Sequence, residues 1–317
     1  MGDRMFYLVD AHADTFVKAK DLNADIYDND IQISIKKLQK FNNSLQFFAI
    51  CLANTKVFDS YHWYLDNLNF YLDNLNKYSE YIAPVKVFSD IEKNNKDKKI
   101  SSVLAIEGAE VLRGSTDKLY EAYEKGVRSI NLTWNNNNEL GCSSMAEVKE
   151  GLTDTGKEFL KIMNDLGIIA DVSHLSQKGF WDICELSTKP FIASHSNSYT
   201  VCKHPRNLTD EQLKALGEKG GVAGLNLCDA FLREGGYASM DDLIRHLEAM
   251  LKLAGEDHVG LGCDLDGIGP HKNPDFEIKD VSNMDTLYER CLKEFGKNTT
   301  EKIFSLNFLR VMKDIMK

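Results

Sequence analysis

His12 and Asp14 lie two residues apart in Asp10-Ala11-His12-Ala13-Asp14. On an extended strand that spacing turns an imidazole nitrogen and a carboxylate oxygen to one face, where both could bind one cation at about 2.0–2.2 Å. Glu107 follows Ala105-Ile106, His174 follows Val172-Ser173, His195 follows Ala193-Ser194 and Asp264 follows Gly262-Cys263. Each ends an apolar run rich in strand-forming residues. Three imidazoles and three carboxylates are more than a single tetrahedral site with one open position for water requires. They suit two ions roughly 3.5–4 Å apart, bridged by a carboxylate and by a shared water that becomes hydroxide near neutral pH. Glu107 is the natural bridge, and the chemistry implied is metal-assisted hydrolysis. His62, His204, His246, His258 and His271 fall on helices, loops or a strand start and are read as non-ligands. Asp266, followed by Gly267, is read as support for the ligands.

Such a constellation needs a frame that delivers many strand ends to one place. Eight β-rich runs occur at 7–14, 45–52, 102–107, 127–134, 168–174, 190–195, 221–227 and 259–264. Helical periodicity covers 61–78, 153–166, 177–186, 209–216 and 241–253. Thr153 or Asp154 can cap the second of these helices, and Gly167 can end it. The β/α units repeat roughly every 36 residues, enough for a helical crossover between parallel strands. The expected fold is α/β, a single (β/α)8 barrel of the TIM type over 1–317, with a polar excursion at 270–286 and a closing helix over 300–316. All eight C-terminal strand ends of such a barrel open on one mouth. A doubly wound open sheet would use the same alternation, but Ala11-His12-Ala13-Asp14 replaces its glycine-rich phosphate turn.

Composition narrows the partners. With 48 acidic against 38 basic residues and a net charge of −10, the chain would repel nucleic acid and anionic lipid, and no basic patch offsets this. The lysines of 93–99 are interleaved with Asn94, Asn95 and Asp97 and read as a solvated segment. Seven cysteines, odd in number and never in C-x-x-C, argue against both a disulfide framework and a thiolate zinc site. The sequence runs from Met1 almost directly into Tyr7-Leu8-Val9-Asp10, without a signal-like stretch, and no apolar run reaches membrane-spanning length. The expectation is a cytoplasmic enzyme without a membrane partner.

Six stretches, in order along nearly the whole chain, carry a resemblance to a family. Asp10-Ala11-His12-Ala13-Asp14, Ile106-Glu107-Gly108, Gly151-Leu152-Thr153 through Asp171-Val172-Ser173-His174, Ser194-His195-Ser196, Pro205-Arg206-Asn207-Leu208 and Gly262-Cys263-Asp264-Leu265-Asp266-Gly267 resemble the motif set of the membrane-dipeptidase (renal dipeptidase) family. The resemblance implies two zinc ions per chain, with His12 and Asp14 on one, His174 and His195 on the other, and Glu107 bridging. It also implies Arg206 as the clamp on a dipeptide's terminal carboxylate, Asp264 as the proton-transfer residue, and a homodimer. A guanidinium fork suits a carboxylate independently of any family.

There is one departure. Where the mammalian renal enzyme has a histidine contacting the scissile carbonyl, this chain has Trp134, which donates only through its indole N–H. Trp134 is then a packing wall for a substrate side chain, and Asn135 or a metal holds the oxygen. Two other readings fit the constellation less well. Related barrels acting on cyclic amides commonly begin H-x-H and bridge through a lysine on the fourth strand, whereas this chain has H-x-D and no lysine in 127–134. A metal-binding protein without catalysis is the other.

Overall fold

The computed structural model describes residues 5–53 and 57–316. Nine strands appear among the described residues, in chain order: β1 (Met5–Asp10), β2 (Phe41–Cys51), β3 (Ile82–Pro84), β4 (Ile100–Glu107), β5 (Val127–Asn131), β6 (Ile169–Asp171), β7 (Ile192–Ala193), β8 (Val222–Leu225) and β9 (Val259–Leu261). Eight of them run parallel in the order β1-β2-β4-β5-β6-β7-β8-β9. The two edges meet where the Ala11 N–H donates to the Leu261 carbonyl at 2.9 Å and Ala13 bridges Leu265. The result is the nearly closed parallel barrel expected from the sequence. Its strands are buried on both faces, which is why they read as unbroken apolar runs; every residue of β4 is buried.

The ninth strand was not legible. β3 has three residues, ends in Pro84, and pairs with Ile100–Ser102 on β4. β5 joins the same edge only from Leu104 onward. The helices Thr15–Leu22, Phe88–Lys96, Thr116–Lys125 and Met284–Glu301 were likewise unforeseen. The helix Asp154–Leu166 begins and ends as the sequence dictates. Thr153 Oγ1 accepts the Gly156 N–H at 3.0 Å, and Gly167 closes it at φ 77°.

Inside the barrel Val9, Phe47, Val103, Ile169, Ile192 and Val222 form one apolar cluster with Phe308, Val311, Met312 and Ile315 of the last helix, Asn307–Ile315. That helix covers the end opposite the mouth, since Arg310 donates to carbonyls of Gly220, Gly221 and Asp257, which precede β8 and β9. Gly260 makes room for it; a Cβ there would lie 2.4 Å from the Phe308 ring. The expected closing helix over 300–316 runs on through a wide π turn, Lys302–Leu306, after which Asn307 Nδ2 donates to the Val259 and Glu256 carbonyls. No helix among the described residues is long and apolar enough to cross a membrane.

One expectation about the strand ends is corrected. The reading carried the first strand to Asp14, the fourth to Trp134, the fifth to His174, the sixth to His195 and the eighth to Asp264, but ladder pairing stops at Asp10, Asn131, Asp171, Ala193 and Leu261. Only Glu107 is itself a strand residue, the last of β4. The others stand just beyond the regular ladder, where His174, Asp264 and Asp266 take left-handed backbone at φ 72°, 61° and 68°. Asp14 occupies the position before the helix Thr15–Leu22. Apolar pattern alone does not show where a ladder gives way to such a turn.

Candidate metal centre

Despite that correction, the turns bring the predicted side chains together at the mouth. The Glu107 carboxylate lies at the middle, and its two oxygens face different partners. Oε2 is 3.4 Å from His12 Nε2, while Oε1 is 2.7 Å from His174 Nε2 and 3.2 Å from His195 Nε2. His12 Nε2 is also 3.6 Å from Asp14 Oδ2 and 3.9 Å from Asp264 Oδ1. His174 and His195 Nε2 are 3.0 Å apart. Two donor groups therefore share one carboxylate: His12, Asp14 and Asp264 on one side, His174 and His195 on the other.

The imidazoles are held from behind. His174 Nδ1 bonds Asn135 Oδ1 at 2.9 Å, and His195 Nδ1 bonds Ser194 Oγ at 2.6 Å. Both Nε2 atoms are thereby turned inward, the arrangement that fixes tautomer and aim in histidine metal ligands. Asp171 Oδ1 accepts the N–H groups of Ser173 and Ser194 and so ties the turns carrying these two histidines. Asp10 Oδ1 does the same for His12 and Cys263.

The field of the cluster calls for positive charge. Burial alone would lower His12, but the Glu107 and Asp14 carboxylates override it and hold the imidazole well above its usual range. Burial would raise Glu107, and the imidazoles of His12 and His174 hold it well below the carboxylate range instead. Burial and the Arg206 charge push His174 down to about 4, and burial with His12 takes His195 well below the histidine range. Asp14 is raised by burial and by Glu107. His12 Nε2 and Asp14 Oδ1 are buried without a hydrogen-bond partner. Orphaned donor atoms, neutral imidazoles and surplus carboxylate fit divalent cations bound by nitrogen and oxygen. Gly267 is required beside them, since a Cβ there would lie 2.2 Å from Asp14 Oδ2 and 2.5 Å from Asp264 Oδ1.

Asp264 is pushed up to about 7, by burial first and then by the carboxylates of Glu107 and Asp14, against the pull of His12. Asn226 Nδ2 donates to its Oδ2 at 3.0 Å. The sign of the resulting pH dependence is fixed. Between an unfolded value of about 3.9 and the folded value, the native chain binds more protons than the unfolded one, so stability falls as pH rises. Asn at position 264 does not titrate. In metal-stripped protein the Tm of Asp264→Asn relative to wild type should therefore rise between pH 5 and pH 8, by roughly 2–4 °C. A signed difference, variant minus wild type, that stays constant or falls with pH in a thermal melt series would contradict the placement of this carboxyl.

Arg206 is 3% exposed, with Nη2 3.3 Å from the His195 carbonyl and Nη1 3.4 Å from Ser196 Oγ. It stacks over Phe231, its Nε has no partner, and it forms no ion pair among the described residues. Trp134 and Asn135 line the cavity over the cluster, about 410 Å³ in volume, together with Phe231 and Ile268. That volume suits a small ligand. Asp266 supports the site from behind the carboxylates, its oxygens accepting from Thr15 Oγ1 and from the N–H groups of Gln32 and Ile33. Sequence reasoning passed over Asn226, Asp10, Asp171 and Cys51. The last ends β2 beside Glu107 and lies within ligand distance of Asp14 and Glu107. Asn226 and Cys51 follow apolar runs as the ligands do, and that pattern is the signal in the sequence that points to them.

The sequence matches the family described as membrane dipeptidase, peptidase family M19, over residues 3–317. An uncharacterized protein in the pqqA 5' region of Klebsiella pneumoniae is 37% identical over 72% of this chain and 86% of its own length. An uncharacterized dipeptidase of Schizosaccharomyces pombe is 35% identical over 68% of this chain and 53% of its own length. Among solved structures, the dipeptidase AC, a metallopeptidase of family M19, superposes with a TM-score of 0.90 at 25% identity, covering 98% of this chain and 99% of that one. A metallopeptidase from Rhodobacter sphaeroides, liganded with a phosphinate mimic of the dipeptide L-Ala-D-Ala, gives 0.88 at 25% identity with the same coverage. The chain belongs to the membrane dipeptidase family, peptidase family M19, and is a hydrolase of the metallo-dipeptidase type.

Proposed function

We propose that the chain is a zinc-dependent dipeptidase that hydrolyses the amide bond of dipeptides at a two-zinc centre. The observation that carries this reading is the division of the Glu107 carboxylate, one oxygen toward His12 and the other toward His174 and His195. His12 and Asp14 would hold one ion, His174 and His195 the other, and Glu107 both. Ions held there supply a water activated near neutral pH and a Lewis acid for the carbonyl oxygen.

The chain's own residues do the rest. Arg206, buried and without a carboxylate partner among the described residues, binds the terminal carboxylate of the dipeptide through its guanidinium fork. Trp134 walls the cavity against bulk water. Asn135, with Oδ1 committed to His174, offers Nδ2 to the substrate. Asp264, the carboxyl poised near neutrality and steadied by Asn226, takes a proton during attack and returns it to the leaving amine. The Rhodobacter sphaeroides relative bound to an L-Ala-D-Ala mimic supports dipeptides, including those with a D residue in second place, as substrates.

The test pairs elemental analysis with turnover. Purified protein should contain about two zinc equivalents and hydrolyse L-L or L-D dipeptides, and chelation should remove both metal and activity together. Activity that survives complete chelation, or a metal-replete protein inert to every dipeptide, would overturn the reading. Arg206→Ala should raise KM for dipeptides with a free C-terminus by roughly 10–100-fold, an ion-paired fork being worth about 1.5–3 kcal/mol. C-terminally amidated analogues should lose little; an equal loss for both kinds would remove Arg206 from the clamp role.

A further inference from the structure

A recess of about 330 Å³ opens on the flank of the barrel and shares no lining residue with the metal cavity. Its origin is the short strand β3, which pairs only with the first residues of β4, Ile100–Ser102. β5 takes over at Leu104, and the helix Ser60–Lys77 reaches across this step through Tyr71. Leu72 and Leu75 of that helix, with Ile82 and Leu104, give the recess an apolar floor. Tyr71 and Ser102 also line it, and their hydroxyls bond each other at 2.6 Å. An apolar guest therefore strands neither hydroxyl.

The charge around this floor has one sign. Lys86, Lys99 and Lys125 line the recess, and no aspartate or glutamate does. None of the three ammonium groups has an ion-pair or hydrogen-bond partner among the described residues, in a chain whose net charge is −10. A fourth cation stands behind the wall. Arg128 is 6% exposed, donates to the carbonyls of Lys86, Tyr123 and Val127, and has no carboxylate partner among the described residues. The nearby carboxylates do not cancel this charge. Asp90 Oδ2 accepts the N–H groups of Lys86 and Val87, and Glu80 bonds the Tyr81 hydroxyl. Even with Asp90 and Glu124, whose charges reach Arg128, counted in full, four cations face two anions. A buried guanidinium without a counter-charge is costly, and an anion docked beside it relieves that cost.

We propose that this recess binds an anion with an apolar body, the chemistry of a medium-chain fatty acid. The alkyl chain lies on Leu72, Leu75, Ile82 and Leu104, and the carboxylate sits among Lys86, Lys99 and Lys125. The lysine stems extend the apolar surface while their heads stay in water. Gly126 leaves room for one of them, since a Cβ there would lie 3.3 Å from Lys86 Cε. A cavity of this volume takes a ligand of that size. The site is independent of the hydrolytic reading, and no step at the metal centre depends on it.

Calorimetric titration of the metal-loaded enzyme with octanoate tests the assignment. Octanoate should bind at a single site with a Kd below about 1 mM. Octanol has the same body without the charge, and inorganic phosphate has charge without the body; each should bind at least about tenfold more weakly. Lys86 and Lys125 are exposed, so Lys86→Glu and Lys125→Glu leave the core intact. Each should weaken octanoate by about fivefold and the two together by at least about tenfold. The double variant also separates this recess from the metal centre, where a carboxylate could bind an ion. Octanoate binding that the double variant leaves unchanged, octanol or phosphate binding as tightly as octanoate, or no saturable binding up to about 10 mM overturns the site.

Discussion

Glu107→Gln should leave a folded barrel that no longer retains two metal ions and turns over dipeptides at least about 10³-fold more slowly, the several kcal/mol of metal-derived stabilisation being lost at about 1.4 kcal/mol per decade. The reason lies in how the carboxylate is shared. Its Oε2 serves the side of His12 and Asp14, and its Oε1 the side of His174 and His195. Glutamine keeps one acceptor and replaces the other with an NH2 that must point hydrogens at one donor group or the other. Either orientation spoils one half of the site, and the charge that both halves need is gone. Backbone order should survive, because Glu107 is the last residue of a β4 whose other positions are packed in the wall of the barrel. Metal stoichiometry by elemental analysis and kcat on one dipeptide check this together. Two retained equivalents with near-normal kcat would show that the carboxylate is not the bridge.

The place of Glu107 at the mouth is legible in the sequence. A carboxylate at the end of an otherwise apolar, fully buried strand has no cheap structural explanation. His12, His174 and His195 were legible for a similar reason, since each terminates an apolar run and a parallel barrel gathers all such ends at one mouth. What stayed hidden was the mechanism of convergence. Period-two reasoning puts His12 and Asp14 on one face, and their side chains do meet at 3.6 Å, but beyond the regular ladder, which stops at Asp10 and leaves only the isolated bridge of Ala13 to Leu265. The left-handed backbone at His174 and Asp264 left no mark in the sequence, because neither residue is the glycine that usually advertises it. β7 pairs through only two residues, so His195 owes its place to the loop contacts of Ser194 and Asp171 more than to the strand. Asn135, read as a substrate contact, also turns its oxygen onto His174, a partner the sequence does not show. A sequence gives the element that delivers a residue more readily than the hydrogen bond that aims it.

Asp264→Asn should bind both metals as wild type does yet lose about 10²–10⁴-fold in kcat, the range expected when a positioned general acid–base group is removed. Asp264 borders the His12 side at 3.9 Å, farther than Asp14 or Glu107, and its other oxygen is occupied by Asn226 at 3.0 Å. It is thus held beside the centre while remaining able to ionise, and burial with two neighbouring carboxylates pushes it up to about 7. A carboxyl near 7 accepts a proton from a nucleophile and surrenders it to an amine at neutral pH, whereas one in the ordinary range would be a poor donor. Asparagine keeps the hydrogen bond to Asn226 and the volume beside Gly267, where no added atom would fit, but it cannot carry the proton. KM should change little, because the loss falls on the transition state and not on the carboxylate clamp proposed for Arg206. A variant with full metal content and near-normal kcat would transfer the proton-carrying role elsewhere, and one that has lost metal would make Asp264 a ligand of the His12 side.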